Sequence, residues 1–141
     1  MFHKVIVVGH LGRDPEMRYL PDGTPVTTFS VATTRRRRNP DGTTAEETVW
    51  FRVSAFRKLA ETCNSFLQKG RLVLVEGQLR PDPATGGPRT WTGNDGTVRA
   101  SYELTALDVR FLGARGEAAP VEAPIGEAEA PLEDEEASIP F

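Results

Sequence analysis

Hydrophobic and polar positions alternate along the chain in short segments that glycine, proline and aspartate separate. The segments are rich in valine, isoleucine, threonine and aromatic residues, a pattern typical of a small antiparallel sandwich or barrel. It predicts strands over residues 3–11, 25–34, 47–56, 71–80 and 97–112. The sequence therefore favours an all-β domain.

One segment between the third and fourth strands has helical periodicity instead. Apolar residues recur there at i, i+4, i+7 and i+8, namely at Leu59, Cys63, Phe66 and Leu67. With Gly70 as a stop signal, we predict an amphipathic helix over residues 58–69, in which Cys63 is a core residue rather than a reactive thiol. Five strands with one helix between the third and fourth is the order of the OB-fold, a Greek-key barrel.

The last predicted strand changes the parity of its apolar residues partway along. Val98, Ala100, Tyr102 and Leu104 share one parity, whereas Leu107, Val109 and Phe111 share the other. A bulge near Ala106 within one strand would explain the change. Two separate strands, the first ending near Thr105, would explain it equally well.

The third strand is predicted to have two unlike faces, because side chains alternate along a strand. The apolar, core-facing parity comprises Val49, Phe51, Val53 and Ala55. The opposite parity mixes aromatic and polar residues, namely Trp50, Arg52, Ser54 and Phe56. Aromatic rings interleaved with arginine offer stacking surfaces for unpaired bases and a cation for the phosphates. The alternative is that Trp50 and Phe56 pack beneath a loop or in a subunit contact.

Two hairpins carry the same basic and aromatic character. One is a run of arginines that enters the turn at residues 39–42, namely Arg35, Arg36, Arg37 and Arg38. The other, over residues 81–97, contains Trp91 and Arg89. Loops frame the binding face of an OB-fold, so both hairpins could grip a nucleic-acid strand. The arginine run could instead be a solvated charged turn.

The formal net charge of −3 is the sum of two opposite halves. All 17 basic residues lie at or before Arg115, with 12 acids among them, which leaves +5. The other 8 acids lie from Glu117 onward, which gives −8. A basic body with an acidic tail indicates a nucleic-acid or other acidic partner for the body.

Several classes of protein are excluded by the sequence. No run of 18 apolar residues and no signal peptide occur, so we expect a cytoplasmic protein. One cysteine and two histidines cannot supply a zinc ligand set, and no phosphate-binding or nucleophile motif is found. We therefore predict no metal, no cofactor and no enzymatic activity. Asp14 and Glu16 are interpreted as turn residues rather than a nuclease pair, and the role of His10 stays open.

From Glu117 onward the chain has 8 acids, 6 alanines and 4 prolines but no lysine or arginine. Such a segment cannot bury enough apolar surface to fold. We predict a domain over residues 1–113, a disordered linker over 114–132 and a partner-binding tip over 133–141. The tip combines acids with an apolar anchor that suits a basic-rimmed pocket on another protein; its residues are Glu133, Asp134, Glu135, Glu136, Ile139, Pro140 and Phe141. A merely solubilising acidic end is the alternative.

Segments spread over the whole chain resemble the bacterial single-stranded DNA-binding proteins, namely residues 8–16, 48–53, 56–61, 69–70, 76–80 and 139–141. The resemblance implies a nucleoid-associated homotetramer of OB-folds that binds single-stranded DNA without sequence preference. It further implies roles in replication, recombination and repair, with recruitment of other proteins through the tail.

The resemblance also assigns DNA-binding residues by matching position. Its stacking aromatics are Trp50, Phe56 and Trp91, and its phosphate-facing cations are Arg18, Arg52, Lys58, Lys69 and Arg80. Many members carry a further stacking tryptophan where this chain has Arg37. The rival interpretations are an RNA-binding module, a replication-restart accessory protein and, more remotely, a nuclease. The terminal Ile-Pro-Phe argues against the first two.

Overall fold

The computed structural model describes residues 1–113, so the predicted linker over 114–132 and tip over 133–141 lie outside the described residues. The elements in chain order are β1 (Val5–Leu11), β2 (Glu16–Tyr19), β3 (Pro25–Arg38), β4 (Thr44–Phe56), α1 (Lys58–Phe66), β5 (Leu72–Leu79), β6 (Arg89–Thr92) and β7 (Val98–Phe111).

The strands form one sheet that closes on itself. Their order is β1-β5-β7-β4-β3-β2, and β6 pairs with β7 beside this path. A further pairing of β1 with β3, at Leu11 and Val31, joins the two sides into a barrel. Strands β4 and β7 run parallel, and the other pairs are antiparallel. The five barrel strands are β1, β3, β4, β5 and β7, with α1 after the third, so the predicted OB-fold is confirmed.

The core fills the barrel with side chains from every barrel strand. Its largest fully buried apolar residues are Leu11, Leu104, Val31, Val53, Val73 and Val75. The helix adds Cys63, and the Thr27 hydroxyl donates a 2.7 Å hydrogen bond to the Ala60 carbonyl oxygen. Burial raises the pKa of the Cys63 thiol to about 12, so it stays protonated at neutral pH. The prediction that Cys63 is a core residue is confirmed.

The helix is shorter than predicted, since it ends at Phe66 instead of residue 69. Leu67 is already extended (φ −93°, ψ 150°), and the Gly70 amide donates to the Leu11 carbonyl oxygen at 2.9 Å. This bond to β1 turns the chain toward β5 before another helical turn can form. Phe66, predicted on the apolar face, is 54% exposed and packs against the ring of Phe111.

The parity change near Ala106 is a bulge within a single strand. Along the β5–β7 pairing, Glu76 lies opposite Asp108 and Gly77 lies opposite Ala106, which leaves Leu107 as the extra residue. A Cβ at position 77 would lie 2.4 Å from the Thr105 carbonyl oxygen, so the tight pairing beside the bulge requires glycine. The one-strand interpretation is confirmed.

The strand predictions differ from the structure at the hairpins. Strands β3 and β4 extend beyond the predicted ends at 34 and 47, with pairing that continues to Arg38 and Thr44. The strands β2 and β6 were not predicted, because four-residue segments with no buried position show no apolar alternation. The other predicted strands agree with β1, β5 and β7 to within two residues.

Candidate nucleic-acid interface

The outer face of β4 has the mixed character that its alternation predicts. Pairing with β3 places Trp50 beside Ala32 and Arg52 beside Ser30 on one face, because directly opposed residues share a face. Trp50 is 37% exposed and Arg52 is exposed. On the inner face, Val53 is fully buried.

The parallel pairing of β4 with β7 extends this face toward the second hairpin. Arg52 lies opposite Glu103, and farther along β7 Ser101 lies opposite Arg89 of β6. Trp91 follows two residues after Arg89 on the same face and is 45% exposed. Two tryptophans from distant parts of the sequence therefore reach one outer surface.

Two adjoining depressions on this surface form what we call the groove. The larger, about 760 Å³, is lined among others by Trp50, Arg52, Arg89, Trp91, Tyr102 and Glu103. The smaller, about 320 Å³, is lined among others by Arg18, Arg52, Arg80, Arg89 and Glu103. The structure thus brings six of the predicted DNA-binding residues together, namely Trp50, Trp91, Arg18, Arg52, Arg80 and Arg89.

A close approach to Gly12 supports the Trp50 ring. A Cβ at position 12 would lie 2.6 Å from ring atom Cζ3 of Trp50, so a side chain there would displace the indole from this position. The ring rests on the backbone that follows β1. This contact limits how far the indole can turn away from the groove.

The sequence reasoning missed the three polar groove residues of β7, namely Ser101, Tyr102 and Glu103. Tyr102, which is 56% exposed, lies opposite Phe51 with ring centroids 5.9 Å apart. Glu103 accepts a 2.9 Å hydrogen bond from the Ser101 hydroxyl, and its carboxylate lies 3.8 Å from Arg89 Nη1. By register Tyr102 shares the face of Phe51, as the alternation of β7 predicts, but both residues also line the larger depression, which alternation alone does not indicate.

The arginine run lies on a two-stranded ribbon opposite glutamates. Arg35 and Arg37 contact the Glu47 carboxylate at 2.9 and 3.2 Å, and Arg36 lies 3.5 Å from Glu46. The hydrogen bond from Arg35, followed by the charge of Arg37, holds the pKa of Glu47 below its usual range. Internal ion pairs therefore offset part of the repulsion between the arginines.

The two faces of this ribbon differ. By register, Arg36 and Arg38 lie on the face that carries Trp50, whereas Arg35 and Arg37 lie on the opposite face. Arg37, at the position where the resemblance implies a further tryptophan in other members, is thus turned to the side away from Trp50.

The remaining predicted residues lie outside the groove. Phe56 is half-buried opposite Val26, the residue that also pairs with Arg18. Lys58 is exposed at the start of α1, and Lys69 is exposed in the turn before β5. The Lys69 amide donates to the Asp14 carboxylate at 2.8 Å, which gives Asp14 the role of a turn residue. None of Phe56, Lys58 and Lys69 lines either depression.

Within residues 1–113, no three histidine, cysteine, aspartate or glutamate side chains are grouped as a metal ion would require. The one helix in this range is too short and too polar to cross a bilayer.

Fold and groove together define an OB-fold barrel with a basic and aromatic outer face. The model of the Single-strand binding protein family matches residues 2–112, and the chain belongs to this family. The resemblance seen in the sequence is therefore confirmed.

Individual relatives agree with this assignment. The chain is 41% identical over 115 residues to the single-stranded DNA-binding protein of Neisseria meningitidis serogroup A, which covers 82% of this chain and 62% of that one. It is 46% identical over 113 residues to the protein of the same name from Thermotoga maritima, covering 79% and 74%. The chain thus spans less than two thirds of the Neisseria relative's length.

Solved structures of similar proteins share the fold. The Plasmodium falciparum SSB complex with ssDNA superposes with a TM-score of 0.65 at 26% identity, covering 80% of this chain and 97% of that one. A small single-stranded DNA-binding protein from Streptomyces coelicolor gives 0.64 at 29% identity, covering 81% and 97%.

Proposed function

We propose that the chain binds single-stranded DNA without sequence preference and has no enzymatic activity. The observation that carries the proposal is the groove, in which two exposed tryptophans and four arginines share one outer face. The names of the relatives and the DNA complex of the Plasmodium protein support it.

The groove suits unpaired bases better than a duplex. Bases in a duplex cover each other's faces, so an indole such as Trp50 or Trp91 stacks only on a base that is free of the helix. The arginines of the groove then neutralise phosphates between stacked bases. Neither contact depends on base identity, which is the reason to expect little sequence preference.

Beyond the groove, we expect the strand to follow basic residues at the barrel surface. Arg18 lines the groove and is separated from Phe56 by Val26 of β3, and Lys58 begins the helix that follows. Lys69 and the arginine ribbon would extend the path in two directions. These residues complete the proposed DNA-binding set, namely Phe56, Arg35, Arg36, Arg37, Arg38, Lys58 and Lys69.

We further propose that the chain acts as a homotetramer. Support comes from the outer face of the β1–β5 pair, where Ile6 is 60% exposed and Val8 pairs with the half-buried Leu74. His10 lies on the same face and is half-buried within the single chain, where burial lowers its pKa. Mass measurement by light scattering tests this, and a monomer at micromolar concentration would refute it.

In the cell, we propose a cytoplasmic, nucleoid-associated role in replication, recombination and repair. The acidic tip would recruit partner proteins, as its apolar anchor and acids suggest. Deletion of Phe141 should leave DNA binding intact and abolish the capture of repair proteins from a lysate. Undiminished capture by the truncated chain would refute this role of the tip.

Fluorescence titration tests the central proposal, because both tryptophans of the chain line the groove. We expect strong quenching by oligo-dT and little by duplex DNA, at each of two salt concentrations. A preference for duplex would contradict the proposal. Equal affinity for oligo-rU would favour the RNA-binding alternative.

A further inference from the structure

Glu103 is an acid at the centre of a site proposed to bind a polyanion. It lines both depressions of the groove and a third cavity of about 230 Å³ between β7 and the segment that joins β5 to β6. The side chain is only 13% exposed. Nothing in DNA binding requires a carboxylate here, and it would repel a phosphate at close range.

The contacts of Glu103 connect the barrel to the second hairpin. Its Oε2 accepts the Ser101 hydrogen bond at 2.9 Å and lies 3.8 Å from Arg89 Nη1. Arg89 belongs to β6, and two residues later β6 carries Trp91. Glu103 is thus the acid through which this hairpin pairs with the barrel wall beside the groove.

A second ion pair on the same hairpin offers a comparison. Arg99 and Asp95 lie 3.4 Å apart, with side chains 55% and 59% exposed. Water and salt screen such an exposed pair, whereas a largely buried carboxylate keeps more of its attraction for a nearby cation. The Glu103 pair is therefore the better suited of the two to hold the hairpin in place.

We propose that Glu103 is a positioning residue that tethers Arg89, and with it Trp91, over the groove of the free protein, and that a DNA phosphate takes over Arg89 on binding. This inference rests on the proposed function. It implies that the carboxylate competes with one phosphate. Glu103 would lower the affinity for DNA while it keeps the stacking surface in position.

The test is Glu103→Gln, which keeps the size and the hydrogen-bond acceptor but removes the charge. Binding of oligo-dT is measured over a series of salt concentrations. For a single strand, each neutralised phosphate contributes about 0.7 to the slope of log affinity against log salt. In the unaltered protein, the Glu103 carboxylate that loses Arg89 takes up a cation from solution, and this uptake offsets the ion that the phosphate releases. Glu103→Gln removes the uptake, so we expect the variant to bind more tightly at low salt, with a slope steeper by about 0.7.

A second measurement reports on the hairpin itself. In a Trp50→Phe background, Trp91 is the sole tryptophan. Glu103→Gln should lower the fluorescence anisotropy of Trp91 in the free protein, because the tether is lost. Glu103→Asp, which retains the charge, should restore part of the anisotropy and the original salt slope.

Asp95→Asn is the matched control, an acid-to-amide change on the same hairpin at a residue outside the groove. Its partner Arg99 is already 55% exposed, so Asp95→Asn should steepen the slope by less than Glu103→Gln does and leave the anisotropy near its original value. Equal effects from Asp95→Asn, or an unchanged slope and anisotropy in Glu103→Gln, would overturn the tether. Failure of the unaltered protein to bind oligo-dT would instead overturn the proposed function.

Discussion

Two hairpin arms flank the groove, and they are built differently. The charged arm, residues 35–47, continues the β3–β4 pairing and holds three arginine–glutamate ion pairs but no aromatic residue. The aromatic arm, formed by β6 and the first residues of β7, has a four-residue strand that is exposed throughout and carries Trp91.

This difference separates two kinds of attraction. Charge acts over about 8–10 Å at ordinary ionic strength and weakens as salt rises, whereas base stacking needs direct contact and depends less on salt. The charged arm is therefore suited to the first approach of DNA, and the aromatic arm to the contact that follows. Variants of each arm should separate affinity from salt dependence.

The largest effect is expected in the barrel strand that supports both arms. Leu104→Ala removes a fully buried side chain of β7 next to Glu103 and should lower the free energy of unfolding by about 2–5 kcal/mol. Denaturant unfolding measures this. Leu107→Ala, at the exposed bulge position of the same strand, is the control and should cost far less. Equal losses would show that burial does not set the difference.

The second-largest effect is expected on the free energy of DNA binding when a stacking side chain is removed. Trp50→Ala and Trp91→Ala should each weaken oligo-dT binding by about 1–3 kcal/mol, because each removes one stacking surface. The slope against salt should stay the same. Tyr19→Ala is the matched control, since Tyr19 is 64% exposed but does not line the groove. A comparable loss in that variant would contradict the assignment of stacking to the groove.

The charged arm should act through the salt slope instead. Replacing both Arg36 and Arg38 by glutamine should flatten the slope by about 0.7 for each phosphate that the arm no longer neutralises. The same change at Arg35 and Arg37 should have a smaller effect, because these residues lie on the far face and share Glu47. Equal effects from the two pairs would mean that the strand contacts both faces of the arm.

The smallest effect is expected from Glu47→Gln, which frees Arg35 and Arg37 for phosphate and should steepen the slope by less than about 0.7. The lowered pKa of Glu47 sets the pH window. Its ion pairs are fully present above the ordinary glutamate pKa and are lost as pH falls through the lowered value. Between about pH 7 and the ordinary glutamate pKa, Glu47 should therefore stay ionised. The affinity of the unaltered protein for oligo-dT should not change through Glu47 in that range.

The alternation of apolar and polar residues along the chain predicted much of the fold and part of the groove. The two faces of β4 and the bulge in β7 follow from parity, which depends only on neighbours in the chain. Parity does not predict that Trp91 shares a surface with Trp50, because that arrangement requires the parallel pairing of β4 with β7. No sequence pattern encodes that register.

The missed residues have two physical origins. Glu103 belongs to the groove because a strand far away in sequence places Arg52 beside it. Tyr102 belongs to it because its ring is exposed although its parity is that of the core. The short strands β2 and β6 have no buried position and so leave no apolar signal. By contrast, Lys58 and Lys69 were assigned through the resemblance alone, and their place on the DNA path stays a prediction.

The burial of Cys63 has a practical consequence for following the arms in solution. It is the only cysteine of the chain, and its thiol is fully buried with a pKa of about 12. A maleimide dye would therefore attach almost exclusively at a cysteine introduced on the surface, for example by Thr92→Cys on the aromatic arm. The native chain is in effect a cysteine-free background for single-molecule spectroscopy, with no residue to remove first.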